Sequence, residues 1–453
     1  MMTKASHMGC NSRTYAVRGN SQLTQHRQHR PWRRSNPRRI CLRNLANAVL
    51  CTAVGICFVS SLARGQSLGA FESPPMLRAS DVLPQELLAG PYHRVDEIVS
   101  NDGYFNRYKI HSLFGEITVD GTDLLYHTIQ EIFAIAKIEE MKRSDAFGSS
   151  FQKAVTGPLR GAKSLITNPV ETVSGTLSGI GTFFEQVGHS ILGSPSEQET
   201  GTFKTILGFD AARRGIAYKF NVDPYSYNGL LQKSLEDLTW AAFGGGFVVR
   251  VGFMAIPSPA SVAVRLPALS ENMNKLIAQN TPAQLKSINA TKLEAMGVPS
   301  EIARTFLNNP KISPSLTTYL VGELEALRGV AGRELYIQRA ATFEYEGLAF
   351  FFERRALMHV AYHEKIAPLG RFVSPYGLLF AQAQNGQLVV LLPLDYLVWT
   401  PNTARIIEAL TNQKEQLGAT GIELWISGTL SPLARQNFTA RGWQVVDFAY
   451  SRL

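Results

Sequence analysis

Alternating hydrophobic and polar residues predict a β-meander in the chain from residue 93 onward. Three short segments carry this alternation, HRVDEIVS, YFNRYKIHS and FGEITVD. The pair Asp102-Gly103 lies between the first two, and such a pair supplies the positive φ angles of a tight hairpin turn. A helical pattern follows from Asp120 to Met141, so we expect strands that are capped by a helix.

Apolar residues take up a helical spacing from 151 to 191, close to a repeat of eleven residues. Pro158 and Pro169 divide this stretch, and because proline suits only the first turn of a helix, we expect successive short helices. Their apolar face needs a partner, which is either the protein core or a membrane surface. The polar face carries few lysines or arginines, which favours core packing over peripheral membrane contact through 151–191.

The pattern changes again in the last part of the chain. Residues 270–366 have a helical pattern, interrupted by prolines that mark helix starts and stops. Beyond them, Asn385-Gly386 predicts a hairpin, and the pairs Thr400-Pro401 and Ser431-Pro432 each predict a helix start with a hydroxyl cap. Together with the strand-like segments IELWI and WQVVDF, these signals are typical of a small α/β unit.

These patterns predict the α+β class, with an N-terminal β-meander and helices, a central all-helical region and a small C-terminal α/β unit. The chain is long enough for more than one packed unit. The expected segments are an export signal at 1–65, an irregular linker at 66–92, the meander with amphipathic helices at 93–269, the helical region at 270–370 and the α/β unit at 371–453.

Residues 1–65 show the three parts of a secretory signal, which are a basic segment, an apolar stretch from Leu45 to Ala63, and a polar segment after it. Small residues at the end of the apolar stretch place the expected cleavage between Ala63 and Arg64, or slightly later, near Gln66. A retained membrane anchor is the alternative, although the apolar stretch is short for one. The pair Arg38-Arg39 resembles a twin-arginine signal, so both export routes stay open. We expect an exported protein of the periplasm or cell envelope.

Charge and cysteine are concentrated in this leader. Residues 1–65 hold eleven of the 45 lysines and arginines and no acidic residue, which leaves 34 cations against 36 anions in the rest of the chain. A near-neutral body argues against nucleic-acid binding, since that requires the neutralisation of several phosphates. All four cysteines precede residue 58, so the remainder has no thiolate nucleophile and no cysteine-ligated zinc site.

Two groups of residues are candidate sites. His359 and His363 are four residues apart in a predicted helix, so both rings can reach one divalent metal ion, although no third ligand follows from the spacing. Ser427, Thr429 and Arg435 surround a predicted turn from a strand to a helix, a place where α/β units bind anions. Packed histidines and an ordinary capped turn are the structural alternatives. The sequence offers no catalytic constellation and no cofactor motif beyond this metal pair.

Two segments, LLAGPYHRVDEIVSNDGYFNRYKIHSLFGE and GIELWISGTLSPLARQNFTARGWQV, resemble bacterial exported proteins of unassigned function. The resemblance implies export but no activity and no site residue. The leading hypothesis is therefore a non-catalytic interaction or structural role, with an unknown protein or the envelope surface as partner. The alternative is a metal- or cofactor-dependent periplasmic enzyme that uses His359 and His363.

Overall fold

The computed structural model describes residues 71–156, 198–243, 247, 249 and 267–453. The predicted leader with its cleavage site at Ala63 and Arg64, and most of the apolar stripe at 151–191, lie outside the described residues. These expectations therefore stay predictions.

An antiparallel sheet of five strands forms the N-terminal part. Its strands are β1 (Met76–Arg78), β2 (His93–Val95), β3 (Ile98–Asn101), β4 (Asn106–Ser112) and β5 (Gly115–Asp120). Strand β5 pairs along one edge of β4, while β2 and β3 share its other edge, and the sheet curls. The segment predicted as one strand, HRVDEIVS, is divided into β2 and β3, and the predicted irregular linker contains β1 and two helical turns, α1 (Ala79–Val82) and α2 (Gln85–Leu88).

The predicted hairpin between β3 and β4 is confirmed, but its connection is a loop of four residues, 102–105, rather than a tight two-residue turn, and of the Asp102-Gly103 pair only Gly103 has a positive φ angle. One carboxylate oxygen of Asp102 accepts the backbone N–H groups of Tyr104 and Phe105, at 2.9 and 2.8 Å. Gly103 has a φ angle of +103°, which glycine adopts without strain. The turn therefore owes its shape to these two adjacent residues, as the sequence indicates.

Helices make up most of the described residues between the two sheets. They are α3 (Thr122–Lys142), α4 (Asp145–Thr156), α5 (Gln198–Lys219), α6 (Gly229–Phe243), α7 (Pro267–Gln279), α8 (Pro282–Ala295), α9 (Ser300–Leu307), α10 (Pro314–Ala326), α11 (Arg333–Ala340) and α12 (Glu346–Lys365). None of the helices in the described ranges combines the length and hydrophobicity that a membrane-spanning segment requires.

The C-terminal sheet is mixed and has the strand order β12-β10-β8-β7-β6. Its elements are β6 (Leu369–Val373), β7 (Phe380–Ala383), β8 (Gln387–Leu392), α13 (Pro401–Gln413), β10 (Gly421–Ile426), α14 (Pro432–Ala440) and β12 (Trp443–Val446), and a short parallel pair adds β9 (Tyr396–Leu397) and β11 (Thr429–Leu430). Helices α13 and α14 connect the parallel strands, and Thr400 and Ser431 cap them as predicted. The α+β class is confirmed.

One hydrophobic core includes the helices from α8 to α12 and the C-terminal sheet. Tyr104 and Phe105 of the N-terminal hairpin belong to the same core. Backbone hydrogen bonds fix this contact, because the carbonyl of Tyr104 accepts from the N–H groups of Asp395 and Tyr396 at 3.1 and 3.2 Å. The hairpin is thereby held against the segment that joins β8 to α13.

Candidate functional site

His359 lies in the core and His363 near the surface of α12. The ring of His359 is fully buried between Tyr336 and Phe372, with centroid distances of 5.9 and 5.1 Å, and its Nδ1 donates to the Arg355 carbonyl at 2.7 Å. Burial, reinforced by the charge of Arg355, lowers the pKa of His359 to about 3. The Nδ1 of His363 accepts the N–H of Leu369 at 3.0 Å.

The described ranges contain no group of three His, Cys, Asp or Glu side chains that is arranged to hold a metal ion. The metal site at His359 and His363 stays a prediction, since the structure adds no third ligand from those ranges.

The candidate anion-binding residues do lie together, but a carboxylate of the chain is already there. Asp447 forms an ion pair with Arg435 and accepts a hydrogen bond from the Thr429 hydroxyl at 3.1 Å. The Ser427 hydroxyl donates instead to the carbonyl of Leu394, at 2.8 Å. The sequence interpretation did not include Asp447, which follows β12 and comes near Arg435 only through the fold. A free anion would have to compete with this internal carboxylate.

A second internal carboxylate lies at the start of α14. Glu72 accepts a hydrogen bond from the hydroxyl of Ser431 and another from the N–H of Trp399, at 3.0 Å for the latter. The N–H of Glu72 in turn donates to the Trp399 carbonyl at 3.0 Å. The segment that begins at residue 71 is therefore fixed to the C-terminal unit at the strand-to-helix turns.

We predict that Glu72→Ala detaches this segment and lowers the free energy of unfolding by about 2 kcal/mol, because a buried N–H and a hydroxyl lose a charged acceptor. Urea denaturation measures the loss, and amide hydrogen exchange at residues 71–75 reports the release. Glu86→Ala is the matched control, since Glu86 is exposed on α2 and should change stability by less than about 0.5 kcal/mol. Equal effects of the two variants would contradict this assignment.

A cavity of about 90 Å³ lies inside the C-terminal unit. Its walls come from β7, β8, β10 and β12 of the sheet, from α12, α13 and α14, and from Tyr104 and Phe105 of the N-terminal hairpin. The lining is almost wholly aliphatic and aromatic. Two of its few polar groups are engaged elsewhere, because Thr403 donates to the Val398 carbonyl at 2.9 Å and the Tyr104 hydroxyl accepts from Asn402 at 3.2 Å.

Arg355 is the one charged side chain in this lining, and it is 3% exposed. The pairing of strands β7 and β8 ends at Ala381 and Val389. Just past this end, the Arg355 guanidinium connects the two chain segments through their backbone carbonyls. Its Nε donates to the Leu391 carbonyl at 2.8 Å, and its Nη2 donates to the Leu379 carbonyl. Burial lowers the pKa of Arg355. The apolar cavity therefore has a single positive group at its wall.

A smaller cavity of about 30 Å³ adjoins the first. Phe105 and Phe351 line both cavities, and their rings meet edge to face with centroids 6.1 Å apart. The smaller cavity is the more polar of the two, since Asp123, Arg354 and Asp395 contribute to its wall, and we call it the polar cavity. The two aromatic rings thus lie where the apolar cavity and the polar cavity meet.

Burial raises the pKa of two of the carboxyl groups that line the polar cavity. It raises the pKa of Asp123 to about 7, against the opposing charge of Arg354 and a hydrogen bond from the Tyr450 hydroxyl at 2.6 Å. It raises the pKa of Asp395 to about 6, although this carboxylate accepts the N–H groups of Asn106 and Thr122 at 2.8 and 3.0 Å. The polar cavity therefore changes its charge near neutral pH.

Asp123 and Asp395 are partly exposed, because their side chains line a cavity. Protein atoms nevertheless surround both carboxyl groups closely, which is why burial dominates their pKa values. Arg354 forms a bidentate ion pair with Glu353, with Nε and Oε2 2.6 Å apart. The positive charge of Arg354 is therefore shared between Glu353 and Asp123.

The sequence patterns predicted neither these cavities nor a role for Arg355. The one available signal is the pair Arg354-Arg355 within an otherwise apolar stretch of α12, since a buried arginine requires a compensating partner. Comparison of the chain with protein-family models, with curated proteins and with solved structures found no match.

Proposed function

We propose that this chain is an exported, non-catalytic binding protein that holds a small hydrophobic ligand in the cavity of its C-terminal unit. The observation that carries the proposal is the cavity of about 90 Å³ with its nearly continuous apolar lining. Apolar cavities of this kind stay dry and take up apolar guests, and an engineered cavity of about 150 Å³ binds benzene or xenon. Export is supported by the leader pattern of residues 1–65 alone.

The groups around the cavity support binding rather than catalysis. A nucleophile or general base has to be free to approach a reacting atom. Thr403 and Tyr104 are bonded to other parts of the chain, and the Nε1 of Trp443 donates to the Thr411 hydroxyl at 2.8 Å. The enzyme hypothesis at His359 and His363 gains no further support, because the described residues bring no third metal ligand to this pair.

We predict that Val390→Leu weakens xenon binding at least about tenfold, because Val390 lines the cavity and a larger side chain fills it. Xenon NMR spectroscopy of the folded protein measures the affinity. The control is Val389→Leu, the preceding residue of β8, which is fully buried but faces the other side of the sheet. That variant should retain the xenon affinity while losing about 1–3 kcal/mol of stability through overpacking.

Either of two results would contradict the proposal. Wild-type protein that binds no xenon would exclude an accessible apolar cavity. Equal xenon affinities in wild-type protein and Val390→Leu would place the bound xenon elsewhere.

A further inference from the structure

The charge of Arg355 has no carboxylate partner among the residues that the structure describes. Its guanidinium contacts two backbone carbonyls and lies 5.9 and 5.8 Å from the ring centres of Phe352 and Phe380. The nearby Glu353 is bonded to Arg354 instead. Tyr336 favours the charge of Arg355 electrostatically, against the effect of burial. A full positive charge is thus held in the core by dipoles and aromatic faces.

Such a charge is costly unless something compensates it. Buried ions in proteins are normally paired, because the desolvation of an ion costs several kcal/mol that carbonyl dipoles recover only in part. A planar guanidinium binds carboxylates through its N–H donors. The hydrogen bonds of Arg355 use Nε and Nη2, and the side chain belongs to the cavity lining, so Nη1 is the nitrogen that remains for a ligand.

We infer that the cavity binds a small aliphatic carboxylate, with its hydrocarbon part in the apolar space and its carboxylate at Arg355. The inference rests on the proposed function and adds the chemical class of the ligand. The size of the cavity selects a short, branched or unbranched chain, because the space is smaller than the engineered cavity that accepts benzene.

Isobutyrate and isobutyramide are suitable probes, since they have nearly the same shape and differ in charge. The full mature chain is titrated with each compound at pH 7.5, and the dissociation constants are measured by NMR. We expect wild-type protein to prefer isobutyrate at least tenfold. Arg355→Met, which conserves most of the volume, should lose this preference and still bind isobutyramide. Arg355→Lys retains the charge and should keep a reduced preference.

The outcomes separate this inference from the proposed function. Equal affinities of wild-type protein for the two probes would overturn the role of Arg355 and leave the apolar cavity as a binding site. Binding of neither probe, together with no xenon binding, would overturn both. The comparison between the two probes uses wild-type protein, so the inference stays testable even if Arg355→Met fails to fold.

Discussion

Replacing Asp123 with asparagine is expected to raise the free energy of unfolding at pH 8 by up to about 4 kcal/mol. The reason is the burial of this carboxyl group, which raises its pKa from 3.8 to about 7 and makes the ionised form unfavourable in the folded state. At about 1.4 kcal/mol per pKa unit, this difference corresponds to the expected gain. Asparagine removes the charge and keeps an oxygen that accepts from the Tyr450 hydroxyl.

The sign of the pH dependence follows from the number of protons that the folded and the unfolded protein bind. Between about pH 4 and pH 7, the folded protein holds the proton of Asp123 while the unfolded chain has released it, so stability falls as the pH rises. Above the pKa of Asp123 in the folded protein, this carboxyl group is ionised in both states, and stability does not fall further on its account. Asp395 acts with the same sign up to about pH 6. Around Asp123, the charge of Arg354 opposes the effect, while Asp395 and Glu353 reinforce it.

Urea denaturation of wild-type protein and Asp123→Asn at pH 5 and pH 8 tests this account. The advantage of the variant should be about 3 kcal/mol larger at pH 8 than at pH 5, since the folded pKa of about 7 lies inside this interval. Asp145→Asn provides a control at an exposed carboxylate in the first turn of α4. A stability difference for Asp123→Asn that is independent of pH would contradict the assigned ionisation.

Removing the ring of Phe438 is expected to cost about 3–5 kcal/mol, because a fully buried aromatic side chain is replaced by a void. The ring packs edge to face against Trp443 and Trp399, with centroid distances of 5.1 and 6.2 Å, and it lines the apolar cavity. Phe438→Ala therefore also enlarges that cavity. Benzene should bind this enlarged cavity more tightly than the wild-type cavity and restore part of the stability of the variant.

Thermal unfolding with and without saturating benzene measures this rescue. Phe209→Ala is the matched control, because Phe209 is 1% exposed and packs on Trp240 at 4.5 Å, in a different hydrophobic cluster. Both variants should be destabilised to a similar extent. The midpoint temperature of Phe438→Ala should rise more with benzene than that of Phe209→Ala. Equal rises in both variants would show that benzene does not report on the cavity.

Local signals in the sequence predicted the elements of this fold that depend on neighbouring residues. The Asp102-Gly103 turn and the caps of Thr400 and Ser431 are confirmed because each one is settled within three or four residues. The hairpin at Asn385-Gly386 follows the same rule, with Gly386 at a φ angle of +89°.

Elements and sites that depend on distant residues were not predicted. Strand β1 has little pattern of its own and forms because β3 offers it an edge. Asp395 accepts the N–H of Asn106, a residue 289 positions earlier, and Glu72 contacts Ser431 across 359 positions. The cavity beside Arg355 likewise arises from several elements that periodicity alone does not bring together. The sequence patterns therefore did not predict that the residues of the proposed binding site come together.

A crystal structure of the mature protein soaked with isobutyrate tests the central claim most directly. We predict electron density for the hydrocarbon part over the side chains of Val390 and Leu424, with the carboxylate within hydrogen-bonding distance of Arg355. Isobutyrate in the cavity but away from Arg355 would retain the binding site and reject the anion contact. An empty cavity at a saturating ligand concentration would contradict the proposal that this cavity is a binding site.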